Sequence, residues 1–386
     1  MAVEIRIPPV LQIGGGSFST VAALLLRLGC RRPFIVTDPF LMKSQLAARL
    51  ATQIRDAGMN CEIFHETVAD PTTTVVEAGV DAFKHGGHDS LVSLGGGSPI
   101  DTAKAIGMLS ANQGKARDYR VPHSIPLPGP THVAIPTTAG TGSEVTRFTV
   151  ITDSESGEKM LLAGEHLQPS AAVVDFELTL TMPARLTADT GTDSLTHAIE
   201  AFVSRKANPF TDALALSAMR TIWRELPVSF REPGNLRARE AMMLAATQAG
   251  IAFSNASVAL VHGMSRPLGA HFHVPHGLSN AMLLPAVTEF SVRSAIERYA
   301  ECARAMGVAL ANDSDEVAVE KLVGALHRRN KELHVPSPKE WGIPEEQYFA
   351  LLGTMAKQAL ASGSPANNPR IATAAEIEEL YRQAWQ

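Results

Sequence analysis

The sequence predicts two domains in series, an α/β domain built on a parallel sheet over residues 1–180 and an all-helical domain over residues 181–386. Three observations carry this. The chain has 386 residues, more than the roughly 250–300 at which a single hydrophobic core stops growing. In its first part, short β-rich runs alternate with helical stretches, the pattern of a parallel sheet with crossover helices. After residue 180 the β signal fades and amphipathic helices rich in Ala, Leu and Met follow one another.

Taken in order, the apolar run Val21 to Leu26 reads as a helix face. Buried parallel strands are expected at 34–38 (FIVTD), 61–64 (CEIF), 90–95 (SLVSLG), 132–138 (HVAIPTT) and 171–175 (AAVVD). Helices are expected between several of them, over Leu41 to Ala57 and Thr72 to His85. Later helices include Pro209 to Glu225 and Arg237 to Phe253. The proline-rich stretches 122–130 and 335–344 are loops without the length or low complexity of a flexible linker, and no internal repeat is present.

Hydrophobic residues make up 45% of the chain and charged residues 19%, an ordinary globular composition. The net charge of −5 comes without a basic block, which gives nucleic acid no footprint. The cysteines, Cys30, Cys61 and Cys302, are odd in number and show no CxxC spacing, pointing away from disulfides and toward a reducing, cytoplasmic compartment. The start MAVEIRIPPV lacks a signal-peptide pattern, and no run approaches the about 20 apolar residues that span a bilayer.

The segment SLGGGSPIDTAKAIG runs from a strand through three glycines into a helix expected to begin near Ser98. Glycines 95–97 leave backbone N–H groups free to approach a pyrophosphate, and the helix N-terminus adds partial positive charge. Pro99 suits the first helical turn. The common G-x-G-x-x-G fingerprint is absent from both glycine-rich segments, 14–19 and 95–100. A second loop, PTTAGTGSE at 136–144, offers Thr137, Thr138, Thr141 and Ser143 just after another strand, with hydroxyls suited to phosphate or a carboxamide. Two such cradles behind neighbouring strands point to a dinucleotide-binding domain. Asp38 closes the run FIVTD and could accept from an adenosine ribose, which favours NAD over NADP; a helix N-cap is the competing use of that carboxylate.

In TGTDSLTHAIEAF, Asp193 and His197 stand one helical turn apart on one face. The downstream run VHGMSRPLGAHFHVPHGLSN holds His262, His271, His273 and His276, and spacing alone does not choose among them. Imidazoles with one carboxylate suit a borderline divalent metal, Zn2+ or Fe2+, better than calcium or magnesium.

At these residues the sequence closely resembles the iron-containing (group III) alcohol dehydrogenase family. GGGSPIDTAK, PTTAGTGSE, GTDSLTHAIEAF, HGMSRPLG, PHGLSNAMLLP and a terminal NPR run occur in the family's order over nearly the whole chain. The resemblance implies a dehydroquinate synthase-like fold, with a metal in the cleft between a dinucleotide-binding domain and an all-helical metal-binding domain, and usually dimeric assembly, a homodimer or a higher homo-oligomer. It implies Asp193, His197, His262 and His276 as metal ligands. Cofactor contacts are expected from Asp38, Gly95, Gly96, Gly97, Ser98, Asp101, Thr137, Thr138, Thr141, Ser143 and Lys159. Phe253 and Arg266 are expected on the substrate side, in the catalytic pocket. Three positions depart from the family: Arg266 stands where many members have histidine, Phe148 replaces a polar residue, and Ser364 replaces a frequent cysteine.

The implied function is hydride transfer between NAD and a small alcohol or aldehyde, the metal acidifying the hydroxyl or polarising the carbonyl. Because a guanidinium does not easily relay protons but holds anions well, Arg266 directs the expectation to substrates that carry an anionic group. A polyol dehydrogenase, a maleylacetate reductase-like enzyme, a lyase of the dehydroquinate synthase type and a non-catalytic metal-binding protein are the alternatives. The Asp193 and His197 pair argues against the metal-free reductase.

Overall fold

Apolar runs with no polar face belong in the middle of a sheet covered on both sides. In the computed structural model, which describes residues 2–386, they take that place. The unit spanning Arg6–Thr181 contains β1 (Val10–Ile13), α1 (Val21–Arg27), β2 (Pro33–Val36), α2 (Pro39–Lys43), α3 (Leu46–Asp56), β3 (Glu62–Phe64), α4 (Thr73–His85), β4 (Ser90–Gly95), α5 (Gly97–Ala111), β5 (Thr131–Pro136), β6 (Phe148–Thr152), β7 (Lys159–Ala163) and β8 (Ala171–Val174). Six strands form one parallel sheet in the order β1-β8-β5-β4-β2-β3.

Alternate residues of these strands feed two cores. Ile35, Val92, Leu94, Val133 and Ile135 pack with Leu24 and Leu25 of α1 and Leu50 and Ile54 of α3. Phe34, Val36 and Leu91 pack with Val76, Val80 and Phe83 of α4 and Ile106 of α5. The period-2 alternation of a strand therefore puts helices on both faces. From β2 the chain goes outward to β3 and returns to β4 on the other flank, so strand order reverses between β2 and β4. Such a reversal opens a crevice at the carboxyl ends of the strands.

The structure adds elements the sequence reading lacks. β1 is a partly buried edge strand. β6 and β7 form an antiparallel hairpin, each alternating partly buried with buried residues. The helix expected over Leu41 to Ala57 is two helices, because Gln45 adopts a left-handed φ of 65°. The helix from Pro209 runs on to Arg231, through Pro227.

The other unit comprises residues 182–386, with residues 2–5 assigned to it as well. It is built from α6 (Ala184–Val203), α7 (Pro209–Arg231), α8 (Leu236–Ala256), α9 (Leu260–Phe272), α10 (His276–Ser291), α11 (Ile296–Ala305), α12 (Asp315–Glu332), α13 (Glu345–Ala361) and α14 (Ala374–Ala384). α6 is central: every residue from Thr187 to Val203 is buried, and it packs on α7, α8 and α10. Small residues permit this closeness, since a Cβ on Gly191 would meet Leu226 Cδ1 at 2.3 Å. Among the described residues no single helix is long and apolar enough to cross a membrane.

The turn after β4 generates a test. Gly95 has a φ of 151°, and a Cβ there would lie 2.5 Å from Cγ of the rigid Pro99 ring. Gly95→Ala should destabilise the chain by about 1–3 kcal/mol, the usual cost of a strained backbone position. The readout is a lower denaturant midpoint; an unchanged midpoint would show slack in the turn.

Candidate metal and cofactor sites

In the helical unit, α6 presents Asp193, then His197 one turn on, then Glu200 almost a turn further, all on one face and all buried. α9 contributes His262, and α10 opens with His276. The close approach of α10 to α6 depends on Gly277, whose Cβ would fall 2.4 Å from the backbone oxygen of Asp189. Backbone there cannot yield, so a residue without a side chain brings His276 beside Asp193.

One potential ligand atom from each of Asp193, His197, His262 and His276 lies within 4.8 Å of all the others. From Asp193 Oδ1 the Nε2 atoms of His197, His262 and His276 stand at 3.7, 3.4 and 3.8 Å. A tetrahedral cation with ligands at about 2.1 Å would space them at about 3.4 Å, so the donor set fits a metal of that kind. The amide Nδ2 of Asn280 points at the same focus, 2.6 Å from Asp193 Oδ1, 3.1 Å from His262 Nε2 and 3.3 Å from His276 Nε2. Lone pairs of three side chains thus converge on one point. The His276 side chain is 41% exposed while the other three are at most 4%, which leaves one open side.

Electrostatics agree with a cation-binding role. Burial alone would raise the Asp193 carboxyl, but His197, His276 and His262 outweigh it and hold it well below the usual carboxylate range. Burial likewise pushes the His262 imidazolium down, and Glu200 and Asp193 more than offset this, leaving its pKa raised. Glu200 accepts from His262 Nδ1 at 2.6 Å and from the Val261 backbone N–H at 2.6 Å. That bond fixes the ring and turns Nε2 toward the focus. On the other flank the rings of Phe253, His197 and His262 form a stack, with centroids 4.1 and 4.5 Å apart. Phe253, expected on the substrate side, packs against a ring of the cluster.

The remaining histidines of the second run lie elsewhere. His271 bonds Gln358 at 2.8 Å, and His273 ends α9 in a left-handed conformation, φ 54°. Arg266, one turn beyond His262, donates from Nη1 to Ser364 Oγ at 2.9 Å. Two of the family departures therefore bond to each other. Sequence reasoning missed Glu200 and Asn280, although each is at helical spacing from an expected ligand: three residues after His197 and four after His276.

In the other unit, β4 and β5 are neighbours in register, Gly95 opposite Pro136, so their two loops lie side by side at the carboxyl edge of the sheet. A Cβ on Gly96 would touch Thr138 Oγ1 at 3.4 Å, and one on Gly97 would press on Thr141 Cγ2 at 3.0 Å. The Thr138 hydroxyl is buried and has no hydrogen-bond partner among the described residues. An unsatisfied hydroxyl beside a side-chain-free helix N-terminus fits a phosphate or carboxamide acceptor. Thr137 N–H donates to Gly95 O at 3.0 Å and ties the loops together.

Asp101 and Ser143 act between these segments: Ser143 Oγ donates to Asp101 Oδ1 at 2.6 Å, and the Val150 N–H donates to Oδ2 at 2.9 Å. Thr141 Oγ1 accepts from Ser143 N–H at 3.3 Å. Beneath them the buried ammonium of Lys104 donates to Ser143 Oγ and to the backbone oxygens of Thr146 and Phe148. Burial pushes its pKa down to about 8 against the pull of Asp101 and Glu144. Ser98 sits in the first turn of α5, partly exposed. Asp38 is the N-cap of α2, its Oδ1 accepting from Leu41 N–H at 2.9 Å, the competing use foreseen for it. Lys159 opens β7 and forms an ion pair with Asp70 at 2.8 Å.

Residues 8–176 match the family model described as iron-containing alcohol dehydrogenase, and residues 187–385 match the C-terminal model of the Fe-containing alcohol dehydrogenase family. The chain is 41% identical to the NAD-dependent methanol dehydrogenase of Bacillus methanolicus, with 98% of each chain covered. It is similar to the crystal structure of a 1,3-propanediol oxidoreductase, with a TM-score of 0.95, 35% identity and all of both chains covered. It is also similar to a sulfoacetaldehyde reductase from Bifidobacterium kashiwanohense in complex with NAD+, with a TM-score of 0.89 and 28% identity over 100% of this chain and 99% of that one.

Because Glu200 holds His262 by a charge-assisted bond, Glu200→Gln should weaken metal retention about 10- to 100-fold. Competition with a chromogenic chelator measures this. Affinity equal to wild type would mean that His262 is oriented by packing alone.

Proposed function

The chain belongs to the iron-containing alcohol dehydrogenase family, and on that premise we propose that it moves a hydride between NAD(H) and a small alcohol or aldehyde, using a divalent metal held by Asp193, His197, His262 and His276. The observation that carries this is the convergence of one carboxylate oxygen and three imidazole nitrogens on a point with one open side. In that donor set a divalent ion supplies Lewis acidity toward an alcohol or carbonyl oxygen, and NAD supplies the hydride acceptor. Three imidazoles and a carboxylate accommodate Fe2+ or Zn2+ alike.

The chain's own residues do the positioning. Glu200 keeps the His262 Nδ1 proton, so Nε2 stays a lone-pair donor. Phe253 and His262 clamp the His197 ring between them. Gly96, Gly97 and the N-terminus of α5 offer N–H groups to a pyrophosphate, with Ser98, Thr137 and the unsatisfied Thr138 hydroxyl beside them. Asp101, Thr141, Ser143 and Lys104 hold those loops in place. Lys159, whose ammonium is paired with the half-exposed Asp70, would serve the ribose or phosphate edge only by sharing or exchanging that partner. Asp38 uses one oxygen as a helix cap and keeps the other for a ribose hydroxyl. The three free, buried cysteines support a cytoplasmic setting. Homodimeric assembly completes the proposal and is read by light scattering.

NADH formation by the metal-loaded enzyme across a panel of primary alcohols, diols and hydroxy acids tests the reaction. Turnover with at least one member is expected, and none with any would overturn the reading. NAD should be preferred over NADP, because Asp38 sets like charge against a 2′-phosphate. Asp38→Gly keeps most of the capping energy and should narrow the preference by about tenfold or more, within the reach of like charges about 4 Å apart at an effective dielectric of about 20. A wild type that uses NADP more efficiently, or an unmoved ratio, would remove Asp38 from this role.

A further inference from the structure

Arg266 follows His262 by one turn of α9, so the two side chains share a face of that helix. Several other partly buried arginines, among them Arg185, Arg298, Arg304 and Arg329, sit on a carboxylate (Asp189, Asp212, Asp315 and Glu332), and the fully buried Arg239, which has none among the described residues, spends its donors on three protein oxygens instead. Arg266 has none within ion-pair distance among the described residues. Its one hydrogen bond among the described residues goes to the neutral Ser364 hydroxyl, which leaves four of its five N–H donors unused by them. The acid that pulls most on its charge is Glu200, which is already committed to His262 and Val261. Burial lowers the guanidinium pKa to about 10, so it is still a cation at neutral pH.

The position is fixed as well as charged. Where α9 passes the turn Ser364–Asn367, a Cβ on Gly263 would meet Pro365 Cγ at 2.6 Å, so helix and turn are in direct contact. That contact seats the guanidinium against the buried Ser364 hydroxyl. A partly desolvated fork of donors with no anionic partner is at its most stable when a small oxyanion binds it in two-pronged fashion.

We propose that Arg266, backed by Ser364, is the anion-binding end of the substrate pocket, and that the substrate is a short alcohol or aldehyde carrying a carboxylate, sulfonate or phosphonate. This rests on the hydride-transfer reading above. Arg266 binds and orients; the redox chemistry is unchanged.

The test compares metal-loaded wild type, Arg266→Gln and Arg266→Lys on an ω-hydroxycarboxylate and the diol of the same length. The ratio of kcat/KM for anion over diol should favour the anion in wild type and fall about 10- to 100-fold in Arg266→Gln, the size of one charge-assisted contact, with partial recovery in Arg266→Lys. Calorimetric titration of the NAD-loaded proteins with acetate, methanesulfonate and methylphosphonate gives a readout that needs no turnover. One of the three should bind wild type at least about tenfold more tightly than Arg266→Gln, and which one does so identifies the anion class. A wild type that oxidises neutral alcohols in preference and binds none of the three overturns the subsite while leaving the hydride-transfer reading standing. Absence of turnover with every substrate overturns that reading, and the titration still decides the subsite. Equal losses on both substrates in Arg266→Gln, with unchanged anion binding, would make Arg266 structural and also overturn the proposal.

Discussion

A buried carboxylate governs the helical unit. Asp193 is 2% exposed, and an ionised carboxyl at such depth is stable only with positive charge and donors around it. Three imidazoles at 3.4–3.8 Å and the Asn280 amide at 2.6 Å meet that demand. Much else follows from it. α6 must be buried along most of its length, α10 must come close enough to need Gly277, and α9 must bring His262 within reach of Glu200. A divalent ion at the focus would satisfy the same carboxylate more strongly than any of these groups, so its binding and the packing of α6, α9 and α10 would stabilise one another.

The parallel sheet solves a different problem with different means. Its loops at Gly95–Ser98 and Thr137–Ser143 offer backbone N–H groups, hydroxyls and a helix N-terminus, and little formal charge. The charge sits underneath: Lys104 and Asp101 are bonded to the loops from within, which leaves the loop edge to neutral dipoles. Such a surface can hold a pyrophosphate without the long, mobile side chains that would have to be ordered on binding.

Much of this was legible in the sequence because two periodicities, 2 and 3.6, write the faces of strands and helices directly. The five expected strands appear as β2, β3, β4, β5 and β8, and the Asp193 to His197 spacing alone placed both groups on one face. What local pattern could not supply depends on packing. Four histidines in one run look equivalent until His273 ends α9 and α10 restarts at His276. Glu200 was overlooked because it acts through His262, 62 residues on. Ser364 stands 98 residues from the arginine it bonds. The β6–β7 hairpin carries a plain alternation that the α/β pattern around it concealed, and the break at Gln45 rests on one backbone angle that composition does not announce.

The central claim is that turnover depends on an ion held by Asp193, His197, His262 and His276. The most direct measurement strips the protein of metal, restores Fe2+ or Zn2+ in steps under anaerobic conditions, and follows occupancy and NADH formation together. The account predicts that turnover is absent at zero occupancy and rises in proportion to bound ion, saturating at one ion per chain. Undiminished turnover in metal-free protein would contradict it.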